Sequence, residues 1–200
     1  MLVNTMTSQQ RPDNGFTLIE LMVTLAVLAI LMMIAVPSYR DLTRRNYVSS
    51  ASNALLADLS YARTEAANRG TFVSVCSSTD GSTCAGTTTY EGGWIIYTYP
   101  IGTKGADQNF NNADATFKLL RYTTARSGVG IAAKDSKVIS YGQQGQLKRT
   151  ATTLVSFVTC AMSSGGTAEN TTAVTGSKIS VTGSGGVTSA ALASGDACTP

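Results

Sequence analysis

Apolar and polar positions change their rhythm twice along this chain. From Phe16 to Val36 the side chains are apolar almost without interruption. After Phe16-Thr17-Leu18-Ile19-Glu20 come sixteen residues, 21–36, broken only by Thr24, and no further charge appears until Arg40. Counted from Phe16 the run has about 21 residues, which as a helix spans roughly 30 Å, the thickness of a hydrocarbon core. Beyond Pro37 the pattern turns periodic. Val48, Ala51, Leu55, Leu59, Ala62 and Ala66 recur at spacings of three and four, which predicts one buried helix face. Arg45, Asn53, Ser60, Arg63 and Arg69 fall mostly off that stripe, Glu65 and Arg69 form a favourable i,i+4 pair, and Gly70 is a good stop. One helix is therefore expected from about Thr17 to Arg69. Pro37 lies inside it, lacks a backbone donor and should kink it.

From Thr71 the text reads as strands and turns. Residues 71–77, 94–99, 116–122, 138–141, 153–160 and 178–182 are β-branched or aromatic runs. Between them lie Asp80-Gly81, Gly92-Gly93 and the loop compositions of 101–115 and 163–176. The fold class expected is α+β: a long N-terminal helix, membrane-spanning in its first half, packed on a mostly antiparallel β-sheet. Trp94 and Tyr97 are read as sheet core.

Composition narrows the function. Charged residues are 14% of the 200 residues, net charge is +3, and there is no histidine. The commonest general base and metal ligand is therefore missing, and no nucleophile–base pair can be assembled around one; the chain reads as a non-enzyme with no cofactor and no metal. Four cysteines, Cys76, Cys84, Cys160 and Cys198, all follow the apolar run. An even number in a segment that leaves the cytoplasm points to two disulfides. Three connectivities are possible; Cys76 with Cys84 and Cys160 with Cys198 is favoured, since each bridge would close a local loop or tie down a terminus. Zinc is the competing reading, against which stand the missing C-x-x-C spacing and the missing histidine.

Other short motifs carry little. Gly128-Val129-Gly130 and Gly183-Ser184-Gly185-Gly186 lack the strand–turn–helix setting of a phosphate loop. Asp107, Asp114 and residues 109–112 lack calcium-loop spacing. Asn170-Thr171-Thr172 marks an exposed loop.

The apolar run is not an ordinary anchor, because a lone carboxylate within it costs about 2.5 kcal/mol or more, and Glu20 must be neutralised by something. No A-x-A-like site closes the run either, as a conventional signal peptide would require. Gly15-Phe16-Thr17-Leu18-Ile19-Glu20-Leu21 resembles the leader-peptidase recognition motif of type IV pilins and type II secretion pseudopilins. The resemblance covers about residues 14–40 and includes Pro37 and Tyr39. It implies cleavage between Gly15 and Phe16, N-methylation of Phe16, and pairing of Glu20 with the Phe16 amine of a neighbouring subunit during assembly. Ahead of Gly15 stand Pro12-Asp13-Asn14 where the family usually carries a Lys or Arg; Arg11 is the nearest cation.

Ala62-Arg63-Thr64-Glu65-Ala66, then Phe72-Val73-Ser74-Val75-Cys76, then Cys84 and Gly93-Trp94-Ile95-Ile96-Tyr97, is similar to the minor pilin and H-type pseudopilin domain. The organisation implied is a leader at 1–15, a transmembrane or filament-core helix at 16–37, an amphipathic helix at 38–70 and a periplasmic or extracellular β-rich head at 71–200. The partners implied are other pilins and minor pilins, a prepilin peptidase, an inner-membrane assembly platform and the membrane itself. The function expected is a minor pilin of a type IV pilus, acting in initiation or at the tip, with an H-type pseudopilin and a DNA-binding competence pilin as alternatives. DNA-binding members resemble one another in a late Gly-Arg-x-Arg motif. Its best-placed equivalent here, Gly185-Gly186-Val187-Thr188, lacks both arginines. Lys148 and Arg149 are the nearest basic substitute, with Lys134 and Lys137 upstream, and two adjacent loop charges read as solvated surface rather than a nucleic-acid site.

Overall fold

The structure, a computed structural model, describes residues 15–102, 105–149 and 154–200. The chain forms two compact units that divide between Arg40 and Asp41. The helix α1 (Leu18–Arg69) supplies the regular structure of the first unit's described residues. Thr17 caps it: its Oγ1 accepts the Glu20 backbone N–H at 3.3 Å, satisfying one of the donors a helix start leaves free. Every described side chain from Phe16 to Arg40 is exposed. α1 stays helical through Pro37, although the ring removes the N–H that would meet the Met33 carbonyl.

Within the second unit the end of α1 behaves as its stripe predicts. Val48, Ala51, Leu55, Leu59, Ala62 and Ala66 are all buried, joined by Ser52 and Asp58. Gly70, at φ 60°, ends the helix, and the Thr71 N–H returns to the Ala66 carbonyl at 3.3 Å, a left-handed glycine stop.

The strands are β1 (Phe72–Ser77), β2 (Gly93–Tyr99), β3 (Lys118–Thr124), β4 (Val129–Ala133), β5 (Ile139–Tyr141), β6 (Val155–Met162), β7 (Ala168–Glu169), β8 (Ser177–Val181) and β9 (Val187–Ala191). They form two antiparallel sheets instead of the single sheet expected, in the orders β3-β2-β1-β5 and β4-β6-β8-β9, with β7 beside β6. The strand expected at 116–122 starts two residues later, because the Phe117 N–H is bound to the Asp114 carbonyl in a turn. β6 extends two residues past Cys160; the start expected for it, at 153, lies outside the described residues. β4, β7 and β9 were not expected.

One core lies between α1 and both sheets, holding Leu55, Leu59, Val75, Trp94, Ile131, Phe157 and Ile179 among others. A second lies behind the first sheet, where Cys76, Ile95, Tyr97 and Tyr99 meet Phe110 and Phe117 from the segment before β3. Side chains alternate across a strand, so Trp94 and Tyr97, three residues apart, serve opposite faces. That is why all seven residues of β2 are buried. Cys76 is bonded to Cys84, which pins the loop after β1, and Cys160 to Cys198, which pins the C-terminal segment to β6.

Candidate assembly interface

The described residues of the first unit present an apolar helix with one anion, Glu20. Phe16 is 79% exposed, and Gly15, Phe16 and Thr17 precede the helix without regular structure. A Cβ added at Gly15 would meet nothing within 4 Å. No contact among the described residues accounts for a glycine at this position. Glu20 lies in the first turn of α1, and among the described residues no cation of the chain pairs with it. The helix holds a stretch long and apolar enough to cross a membrane, none of it covered within the chain. Exposed apolar surface of this extent marks a lipid or protein contact. Within it Glu20, a carboxylate among apolar side chains, is the feature whose charge calls for a partner.

The second unit is locked to its own stretch of α1 by polar groups that the apolar stripe does not reveal. Asp58, 4% exposed, accepts from Trp94 Nε1 at 2.9 Å, Thr123 Oγ1 at 2.6 Å and Arg121 Nη1 at 2.6 Å. The Arg121 guanidinium also lies 4.1 Å from the Tyr61 ring centroid, a cation–π distance. Arg44 pairs with Glu169 at 3.2 Å, and the Arg45 Nε donates to the Ala173 carbonyl. Arg63, set off the stripe by its spacing, donates to the Gly145 carbonyl at 3.1 Å and the Ser184 carbonyl at 3.2 Å. It thereby ties the turn after β5 to the β8–β9 turn.

That tie decides the fate of the late glycine cluster. Gly185 sits at φ +83°, and a Cβ there would come within 1.9 Å of the Gly145 oxygen. Gly185 and Gly186 therefore form a hairpin turn packed against its neighbour, a place for glycine's backbone freedom rather than for a ligand. Lys148 is exposed. Arg149 departs from the expected solvated surface: its side chain is 2% exposed and pairs with Asp135 at 2.6 Å. The two do not form an adjacent pair of solvent-facing cations, because a buried guanidinium is held by a carboxylate. Asn170 is likewise occupied, donating to the Ala193 carbonyl at 2.7 Å and accepting the Gly176 N–H at 2.9 Å. Its amide staples a loop together. Among the described residues no cluster of three potential metal ligands occurs.

In the disulfide loop, Asp80 accepts the Ser82 and Thr83 backbone N–H groups, each at 2.9 Å, and the Thr83 hydroxyl at 2.8 Å. These hydrogen bonds hold its carboxyl well below the usual carboxylate range. Burial raises the phenols of Tyr90 and Tyr141 above their ordinary value, and that of Tyr97 well above it. These groups steady the fold of the second unit.

An exposed apolar N-terminal helix continued by an amphipathic half under antiparallel sheets defines the pilin class of filament subunit. Residues 10–36 match the family described as prokaryotic N-terminal methylation motif. Residues 51–185 match the family described as type II transport protein GspH, and the chain belongs to that family of minor pilins and pseudopilins. A fimbrial protein of Pseudomonas aeruginosa is 32% identical over 122 residues, covering 60% of this chain and 75% of the relative. The major pilin PilE1 of Neisseria gonorrhoeae is 54% identical over 39 residues, 20% of this chain and 24% of the relative. The crystal structure of the type IV minor pilin FimU of Pseudomonas aeruginosa shares the fold, with a TM-score of 0.50 and 20% identity over 76% of this chain and 98% of that one. Family membership implies assembly with other pilins in a pilus or pseudopilus.

Proposed function

We propose that this chain is a minor pilin of a type IV pilus. A prepilin peptidase cuts it between Gly15 and Phe16 and methylates the new Phe16 amine. It then enters the filament at initiation or at the tip. The observation that carries the reading is Glu20: a carboxylate with no cation partner among the described residues, set in an uncovered apolar helix four residues after the residue that cleavage would make the N-terminus. The amine released at Phe16 of one subunit neutralises Glu20 of the next, removing the cost of two separate charges in an apolar filament core. Before assembly the helix spans the inner membrane once with the head in the periplasm, and Pro37, short of one backbone hydrogen bond, is where the helix bends or yields.

The pilus is favoured by the fimbrial relative that shares 32% identity across 75% of its own length. The second reading, a pseudopilin of type II secretion, has its support in the description of the matching family. Deleting the gene separates them. The pilus reading predicts fewer surface pili and impaired twitching with protein secretion intact. Unchanged pilus number and twitching, with secretion lost, would move the protein to the secretion system.

A further inference from the structure

The edges of the two sheets are not equally protected. The outer edge of β4 is capped by the segment before β2: the Tyr90 N–H donates to the Ile131 carbonyl at 2.8 Å and the Ala133 N–H to the Thr88 carbonyl at 2.7 Å. The edge strand β3 carries Lys118 and Arg121, and its pairing is broken by a register shift opposite Ile96 and Tyr97. β5 is three residues long. Charges, irregularity and short length are the usual defences of a sheet edge. β9 has none of them. Val187-Thr188-Ser189-Ala190-Ala191 contains no charge and no proline, and its pairing with β8 is regular throughout.

The register also fixes which backbone groups are free. Thr182 and Gly186 at one end of the β8–β9 ladder, and Gly176 and Leu192 at the other, are hydrogen-bonded pairs. Bonded and non-bonded pairs alternate in an antiparallel ladder, so Thr188 and Ala190 bond to β8. The N–H and C=O groups of Val187, Ser189 and Ala191 point away from it. They have no partner among the described residues. Ser189 and Ala191 also line a groove of about 320 Å³ against Val48, Ser49, Ser52 and Arg45 of α1. The hydroxyl of Ser52, which lines it, is buried with no partner among the described residues, and Arg45 is the only ionisable one of the described residues lining it.

We propose that β9 takes up an extended segment of a different pilin-like subunit by β-strand addition. The incoming strand bonds to Val187, Ser189 and Ala191, lays small side chains in the groove and sets a carboxylate near Arg45. The open backbone of alternate residues, about 17 Å of it, selects an extended chain. The single positive charge selects an acidic one. A second copy of β9 has no carboxylate to offer, which is why the partner is a different subunit. This rests on the pilin reading above.

The test places the photo-crosslinker p-benzoylphenylalanine at Ala191 of the full chain in cells, with Val27 in the apolar helix as a second position. The expected result is an adduct from Ala191 to an extended, carboxylate-bearing segment of another pilin-like subunit. It is lost on adding Ser189→Pro, which deletes an outward N–H without removing a bond to β8, and independently on adding Ser189→Lys. Adducts from Val27 to pilins with none from Ala191 would overturn the edge proposal and leave the pilin reading standing. So would an Ala191 adduct that survives both edge variants, or one to a second copy of this chain. No pilin adduct from either position would overturn the pilin reading and the proposed partner with it.

Discussion

The indole Nε1–H of Trp94 donates a 2.9 Å hydrogen bond to Oδ2 of Asp58, joining the middle of the first sheet to the buried face of α1. Three donors converge on this carboxylate. Replacing it with alanine strands the buried indole N–H, takes an acceptor from the half-buried Thr123 hydroxyl and leaves Arg121 without its anion. Arg121, whose side chain is about half exposed, can turn to water, so the main cost is the buried Trp94 donor left unsatisfied, about 1–3 kcal/mol. Asp58→Ala is therefore expected to lower the stability of the full chain in detergent by that order, and Asp58→Asn by less, since the amide oxygen still accepts. Trp94 is the single tryptophan, so denaturant unfolding followed by its fluorescence reads the effect directly. A loss below about 1 kcal/mol, the size of one ordinary hydrogen bond, would show that the cluster does not hold the helix to the sheet.

The two disulfides close loops of different length, with sequence separations of 8 and 38. Chain entropy then ranks them: the shorter loop stabilises by about 2.6 kcal/mol and the longer by about 3.9 kcal/mol. Cys160→Ser/Cys198→Ser should unfold at lower denaturant than Cys76→Ser/Cys84→Ser. The reverse order would mean that the packing of Cys76, against Ile95 and Tyr97, outweighs loop length.

Burial raises the phenols of Tyr90, Tyr97 and Tyr141, and this sets the alkaline limit of the fold. A neutral buried phenol contributes stability that is fully present below the unfolded value near pH 10. The contribution falls as pH climbs from there toward the raised folded value. Stability is predicted to decline from about pH 10 upward, with a fraction of the tyrosine absorbance change appearing only as the protein unfolds. Complete phenolate formation in the still-folded protein would contradict the burial of these rings.

Glu20 is exposed in α1, and its side chain has no partner among the described residues. Glu20→Ala should leave membrane insertion and head stability unchanged while sharply reducing recovery in sheared filaments. Equal incorporation of the variant would remove the amine–carboxylate pairing from the account.

Sequence pattern reached the elements whose residues state their own role. The stripe from Val48 to Ala66 was legible because each of its members is apolar and in phase, and Gly70 because only a left-handed stop needs glycine there. β4 and β9 were not, since Val129-Gly130-Ile131-Ala132-Ala133 and Val187-Thr188-Ser189-Ala190-Ala191 are built largely of small residues with weak strand preference. They are strands because β6 and β8 pair with them. Close approach also explains their size: a Cβ at Gly130 would lie 3.0 Å from that of Ala168. Asp58 carries a visible signal, a carboxylate three residues after Leu55 and four before Ala62, in phase with the buried stripe. Thr17-Leu18-Ile19-Glu20 likewise has the T-x-x-E spacing of a helix start, and the structure uses Thr17 that way. Arg149 could not be placed from sequence, because its partner Asp135 is distant in the chain and brought near only by the turn between β4 and β5.

The central claim is that the chain is used as a processed filament subunit. Intact-mass and N-terminal peptide mass spectrometry of the protein isolated from the envelope of the native host tests it most directly. The account predicts a chain beginning at Phe16 and carrying one added methyl group on its amine. A mature protein still carrying Gly15 and the residues before it, or cut at the far end of the apolar run, would contradict it.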